Sequence, residues 1–367
     1  MESEKNLRGE KMMATQSWTI GEHTVATPIV QGGMGVGISL AGLASAVARA
    51  GGIGTISPVG MGWEHPEWKT APQLAHAQVL QQEIRKALQA APNGVIAVNI
   101  MMALSNAEEL MVAATEAGAH VLFIGAGLAL SLPEQVLAKG KALALAPIVS
   151  SGRAARLIRD SWLRKHGRMP DAFVVEGPMA GGHLGFKRDE IESPNHTLEK
   201  ILDDVLSVAK ECELEIPVIA GGGIFTADDV KKYMNLGATA VQLGTRFVAT
   251  HECDASLEFK QSYVNSKKED ITIIASPVGL PGRALRSQFL QALETQPTGR
   301  IVCRYRCLRT CNPATTPYCI AQALSAAKKG DFNEGFAFCG ENAHRITEII
   351  SVGQLMAELT QPQSAAN

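Results

Sequence analysis

The sequence is poor in aromatic residues, at 5% of 367 residues, and carries a net charge of only −2. The first scarcity leaves no platform on which nucleobases could stack. The second removes the basic field that draws a protein to nucleic acid or to an anionic membrane surface. No apolar run reaches the length needed to span a bilayer. The N-terminal stretch from Met1 to Trp18 is charged and polar and contains no apolar signal core. The expectation is therefore a cytoplasmic chain that binds neither nucleic acid nor membrane, with a flexible start over residues 1–20. Cysteine is sparse along most of the chain, but Cys303, Cys307, Cys311 and Cys319 crowd one segment, followed by Cys339.

The chain is rich in glycine, with 35 residues, and in apolar residues, at 46%. Apolar strand-like runs alternate with amphipathic helical ones. The candidate strands are Val25–Gln31, Gly52–Ser57, Gly94–Ile100, His120–Gly125, Ala142–Val149, Ala172–Glu176, Pro217–Ala220 and Ala240–Leu243. They are continuously apolar, as strands covered on both faces should be. Thr226 followed by Asp228 and Asp229 predicts a capped helix that ends by Gly237, and a second helix is predicted from Ser105-Asn106 to Gly118. Eight βα units favour an α/β fold of the TIM (β/α)8 barrel type, with a doubly wound open sheet as the alternative. The barrel is expected over residues 21–290, with inserted lid segments. A cysteine-rich C-terminal extension is expected over 291–367, packing on the barrel.

Two turns point to anion binding. Ala220-Gly221-Gly222-Gly223-Ile224 and Leu243-Gly244-Thr245-Arg246 each end an apolar run at glycine, one βα unit apart. The last two strands of such a barrel commonly hold a phosphate there, on backbone N–H groups and the start of the next helix. Arg246 fits either a phosphate contact or a salt bridge at the rim. Gln31-Gly32-Gly33-Met34 ends the first strand and Asn99 the third. The sixth strand runs into Glu176-Gly177 and then Gly181-Gly182-His183. A histidine between glycines at the rim suits proton transfer near neutrality. The loop from Val59 to Pro72, with Trp63 and Trp68, reads equally as a lid or as a surface excursion.

The five motifs Gln31-Gly32-Gly33-Met34, Asn99-Ile100-Met101, Glu176…Gly181-Gly182-His183-Leu184-Gly185, Ala220–Ile224 and Gln242–Phe247 occur in order over residues 25–290. In this the chain resembles the FMN-dependent nitronate monooxygenase (2-nitropropane dioxygenase) family, which includes enoyl-acyl-carrier-protein reductase II. The resemblance implies a barrel that binds FMN at its C-terminal face. The phosphate would lie on Gly221, Gly222, Gly223, Gly244 and Thr245. Gln31, Gly32, Gly33, Met34, Asn99, Glu176, Gly181, Gly182 and Gln242 would complete the cofactor site, and His183 would be the catalytic residue. The implied substrate is a small molecule, either an alkyl nitronate oxidised by the flavin or an enoyl thioester reduced with NAD(P)H. A homodimer is left open. A flavin/iron–sulfur electron-transfer protein is a third reading.

The cysteine segment departs from that family pattern. Cys303-x3-Cys307-x3-Cys311-x7-Cys319 has the residue type of a [4Fe–4S] or Zn2+ site, and its x3 spacings differ from the x2 pairs of zinc ribbons. The same spacing would also place unligated thiols along one face of a helix. Arg304, Arg306 and Arg309 either balance thiolate charge or are simply solvated.

Overall fold

A computed structural model describes residues 17–63, 65–212, 215–295 and 301–360. Most of the expected flexible start, residues 1–16, lies outside these. All eight expected strands form: β1 (Ile29–Gln31), β2 (Ile53–Ile56), β3 (Val95–Met101), β4 (Val121–Gly125), β5 (Ala144–Val149), β6 (Phe173–Glu176), β7 (Val218–Gly221) and β8 (Ala240–Leu243). Each pairs in parallel with its sequence neighbour, and β8 pairs with β1, so the sheet closes into a TIM-type barrel. The open-sheet alternative is thereby excluded. The first strand begins later than expected. His23–Val25 instead folds back on Trp18–Ile20 as a hairpin, and Pro28, which lacks an N–H, separates the two.

Alternate residues of each strand point into the barrel. Val30, Ile53, Ala97, Phe123, Ala146, Val174, Ile219 and Ala240 belong to one buried interior cluster with Trp18, Ile20 and Val25 of the hairpin, which plugs the lower mouth. Phe123 is fully buried there; truncating such a side chain costs about 3–5 kcal/mol. The lower barrel is thus a rigid plug beneath the open upper rim.

The helices stop and start where local chemistry dictates. Gly152–His166 begins at Ser151, whose hydroxyl accepts from the Ala154 N–H, and ends at Gly167 in the left-handed conformation. Ala227–Asn235 carries the expected cap. Thr226 and Asp229 form a reciprocal capping box. The predicted Ser105–Gly118 helix is Ala107–Glu116. No helix among the described residues is long and apolar enough to cross a membrane.

After β8 the chain leaves the barrel and later returns to it. It forms Leu257–Val264, an antiparallel hairpin of Ile271–Ala275 and Pro281–Leu285, the cysteine segment and the helix Ile320–Lys328. The last helix, Val352–Thr360, packs against Ala41–Arg49, which follows β1, and against Ala227–Asn235, which follows β7. That is the seat of an eighth barrel helix.

Candidate active site

The upper rim encloses a cavity of about 540 Å3. On seven strands the wall is the inward residue two places beyond the apolar plug: Gly32, Asn99, Gly125, Ile148, Glu176, Gly221 and Gln242. Three glycines open the space, and Asn99, Glu176 and Gln242 give it polar points. Gln31, expected beside them, is out of phase with this set. It is fully buried outside the cavity, and its Oε1 accepts the Thr55 N–H (2.8 Å). The period of two, counted from Val30, selects Gly32 instead.

Gly33, Met34, Gly181, Gly182, His183, Gly222, Gly223, Gly244 and Thr245 join the lining, so every other expected barrel site residue converges here. The approach at Gly33 is close: a Cβ there would collide with Asn99 Cβ. Gly222, at φ +104°, has no room either, with Gly177 O 3.0 Å from where its Cβ would stand. The N–H groups of Gly222 and Gly223 donate to no other group among the described residues. Just before the helix that follows them, the Phe225 and Thr226 N–H groups are taken up by Asp229 Oδ2 (both 2.9 Å). An anion at this turn would be met first by the glycine N–H groups.

Residues 340–342 latch the two glycine turns together. Asn342 Nδ2 donates to Gly223 O (2.6 Å) and the Gly340 N–H donates to Thr245 Oγ1 (2.9 Å). Glu341 also pairs with Arg283 (2.9 Å), a buried guanidinium whose Nη1 donates to Pro178 O (2.6 Å) and Ala180 O (2.7 Å). The loop leading to His183 is thus tied down at two carbonyls. Sequence reasoning missed this latch. Its one signal is a glycine, Gly340, closing the short apolar run Phe336–Cys339.

His183 sits on a two-residue strand that pairs with Gly282 of the hairpin, so its backbone is held by sheet hydrogen bonding. Its Nε2 lies 2.7 Å from Ser276 Oγ and its ring meets Phe338 edge-on at 4.9 Å. Burial pulls its pKa down to about 4, which makes it a neutral imidazole at physiological pH. Burial acts oppositely on Glu176, pushing its carboxyl up to about 7. The cavity therefore holds one group that is neutral and one that titrates near neutrality. Ser276 was another omission, lying 93 residues from its partner.

Val36 (φ +57°) and Ala126 (φ +51°) are non-glycine residues in the left-handed region, and both line the cavity. Strain of this kind gathers at functional sites. Trp63 of the 59–72 loop also lines the cavity, and its ring meets Tyr305 of the cysteine segment at 4.5 Å, tilted by 42°. Arg246 resolves toward the rim salt bridge: Nη2 meets Glu358 at 2.5 Å and the guanidinium lies over Phe225.

The cysteine segment is not a helix, because the helix that follows begins only at Ile320. Thiols on one helical face are therefore ruled out. Cys303, Cys307, Cys311 and Cys319 are all free and line a second pocket of about 370 Å3. Of these, Cys307 alone also lines the main cavity. Among the described residues, no group of three or more His, Cys, Asp or Glu side chains is disposed to hold a metal ion.

A family model described as nitronate monooxygenase matches residues 16–362. A Mycobacterium tuberculosis (3aS,4S,5R,7aS)-5-hydroxy-7a-methyl-1-oxo-octahydro-1H-indene-4-carboxyl-CoA dehydrogenase is 29% identical over 273 residues, 73% of this chain and 65% of that protein. A nitronate monooxygenase of Paraburkholderia phytofirmans is 33% identical over 196 residues, 52% of this chain and 48% of that protein. The chain thus spans under two thirds of the length of either relative. Among solved structures, FabK from Thermotoga maritima superposes with a TM-score of 0.70 at 26% identity, covering 96% of this chain and 94% of that one.

Proposed function

Since the chain belongs to the nitronate monooxygenase family, we propose that it is an FMN-dependent oxidoreductase whose best-fitting reaction is the reduction of an apolar 2-enoyl thioester. The residues fit the cofactor. Gly222 and Gly223 offer undirected N–H groups to a phosphate, and at Gly33 only a residue without a Cβ leaves room for a flat ring beside Asn99. When bound, FMN supplies the hydride chemistry, and the protein orients and tunes it.

The chain's own residues have three tasks. Gly222, Gly223, Gly244 and Thr245 seat the phosphate, with the 340–342 latch holding the two turns in register. Leu128, Leu280, Leu324 and Trp63 make an apolar wall that excludes water and accepts an acyl chain. Glu176 and His183 manage protons: a carboxyl near its midpoint at neutral pH is a proton source, and the neutral imidazole on Ser276 orients a substrate carbonyl by hydrogen bonding.

The observation that carries this reading is the Glu176 carboxyl, poised near pH 7 inside a largely apolar cavity. Adding hydride to an enoyl thioester leaves an enolate that must take up a proton. Oxidising a nitronate needs no such donor. The carboxyl-CoA dehydrogenase relative acts, by its name, on a CoA thioester. Nitronate oxidation is the second reading, favoured by the Paraburkholderia relative. All seven cysteines are free, which suits the reducing cytoplasm.

Adding octenoyl-CoA to flavin photoreduced without oxygen, and an alkyl nitronate to the oxidised flavin, separates the readings. Return of the yellow flavin band with octenoyl-CoA, and no bleaching by the nitronate, is the expected result. Nitronate-driven oxygen uptake with no response to any enoyl thioester would replace it by the second reading.

A further inference from the structure

We propose that Cys303, Cys307, Cys311 and Cys319 ligate a [4Fe–4S] cluster in the second pocket, separated from the flavin cavity by the wall that Cys307, Leu308 and Ile320 form between them. The argument starts from the pocket. All four cysteines line one space of about 370 Å3, and none is paired as a disulfide. Among the described residues no three such side chains are drawn together at the spacing of a single ion. A tetrahedral zinc needs its sulfurs packed about one atom. A cube of four irons, each taking one thiolate, holds its cysteines farther apart.

The loop is also built to hold a shape. Its residues are not helical, yet they are fixed to the barrel just beyond β3. The Ser105 N–H donates to Cys307 O (3.0 Å), Ser105 Oγ donates to Arg306 O (2.8 Å), and Arg309 Nε donates to Leu104 O (2.9 Å). Between two of the cysteines, Arg306 is held at φ +47°, a conformation that a side chain with a Cβ rarely adopts. The result is that its backbone N–H donates to Cys303 Sγ (3.3 Å). N–H groups directed at sulfur stabilise thiolate ligands and tune the potential of the clusters they carry. The Arg304, Arg306 and Arg309 cations in the same loop offset four thiolates.

Leu308 and Ile320 line both pockets, as Cys307 does. The two sites thus share a wall one side chain thick. Placing the cluster there does not depend on which substrate the flavin site takes, nor on FMN being its cofactor.

The test is iron and acid-labile sulfide analysis of the full chain purified without oxygen. About four of each per chain are expected, with a brown absorption that bleaches on dithionite and an electron paramagnetic resonance signal in the reduced protein. Cys311→Ser and Cys319→Ser should each lose most of the iron while keeping the native circular dichroism. If a variant fails to fold, alkylation of the wild-type protein replaces it: the four thiols should be protected as purified and become reactive after iron chelation. Protein free of iron that also fails reconstitution with ferrous iron and sulfide would overturn the proposal. So would about one zinc per chain, or iron that persists when all four cysteines are replaced by serine.

Discussion

The two sides of the main cavity are made of different material. The turns that end β7 and β8 are backbone: Gly221–Gly223 and Gly244–Thr245, joined by hydrogen bonds from residues 340–342. The side at β3 and β6, with the hairpin, presents side chains: Asn99, Glu176 and His183, the last backed by Ser276. A backbone surface recognises an anion whatever its neighbours' chemistry, but at Gly222 and Gly223 it has no room for an added Cβ. A side-chain surface can be exchanged group by group, and burial sets the charge state of each group. The first side should therefore break by steric change and the second by titration.

The largest effect should come from a Cβ on the backbone side. Gly222→Val must adopt φ +104° with Gly177 O and the Ala180 N–H in its way. We expect at least about 2 kcal/mol lower stability and FMN affinity down about a hundredfold, read by denaturant midpoint and flavin fluorescence titration. Retained affinity would mean that the phosphate lies elsewhere.

On the other side, His183→Asn should lower kcat/KM about a hundredfold or more while FMN stays bound, and Glu176→Gln should abolish the fall of activity above pH 7. The stability of the FMN-free protein separates the two groups by sign. Burial holds His183 at a folded pKa of about 4, below the ordinary histidine value of 6.5, so between these the unfolded chain holds more protons and stability rises with pH. Burial holds Glu176 at a folded pKa of about 7, above the ordinary glutamate value of 4.5, so between these the folded chain holds more protons and stability falls with pH. The slopes oppose each other from pH 4.5 to 6.5. His183→Asn should leave only the fall, and Glu176→Gln only the rise, in thermal midpoints across that range.

What could be read beforehand follows the same division. Strands that stop at glycine announce themselves locally, so the barrel and its two glycine turns were legible, as was the Thr226 cap. Gln31 misled because it stands next to the right position, and a one-residue step in a strand reverses the face. Ser276 and the 340–342 latch were illegible for another reason. Their partners lie 93 to 119 residues away, and no local pattern records such a meeting. The return of Val352–Thr360 to the barrel is likewise a tertiary choice, made by an apolar face that fits between two distant helices.

A smaller effect is expected at the latch. Asn342→Ala removes one hydrogen bond to Gly223 O and leaves the turn's own backbone untouched. It should cost about 1 kcal/mol, or about fivefold in FMN affinity, measured by the same titration. A loss as large as that of Gly222→Val would show that the latch, and not the glycines, shapes the phosphate seat.

The smallest effect is the most informative about what the backbone side does alone. Arg246 follows Thr245 directly and is the cation that chain position most suggests for the phosphate. Its guanidinium is instead committed to Glu358 on the final helix and to the face of Phe225. Glu358 is about half exposed, so the pair is worth only about 0–1 kcal/mol. Arg246→Ala should lower the thermal midpoint slightly and leave FMN affinity unchanged within about twofold. A tenfold loss would put a charge on the phosphate that the geometry assigns to the final helix, and the contrast between a backbone side and a side-chain side would no longer hold.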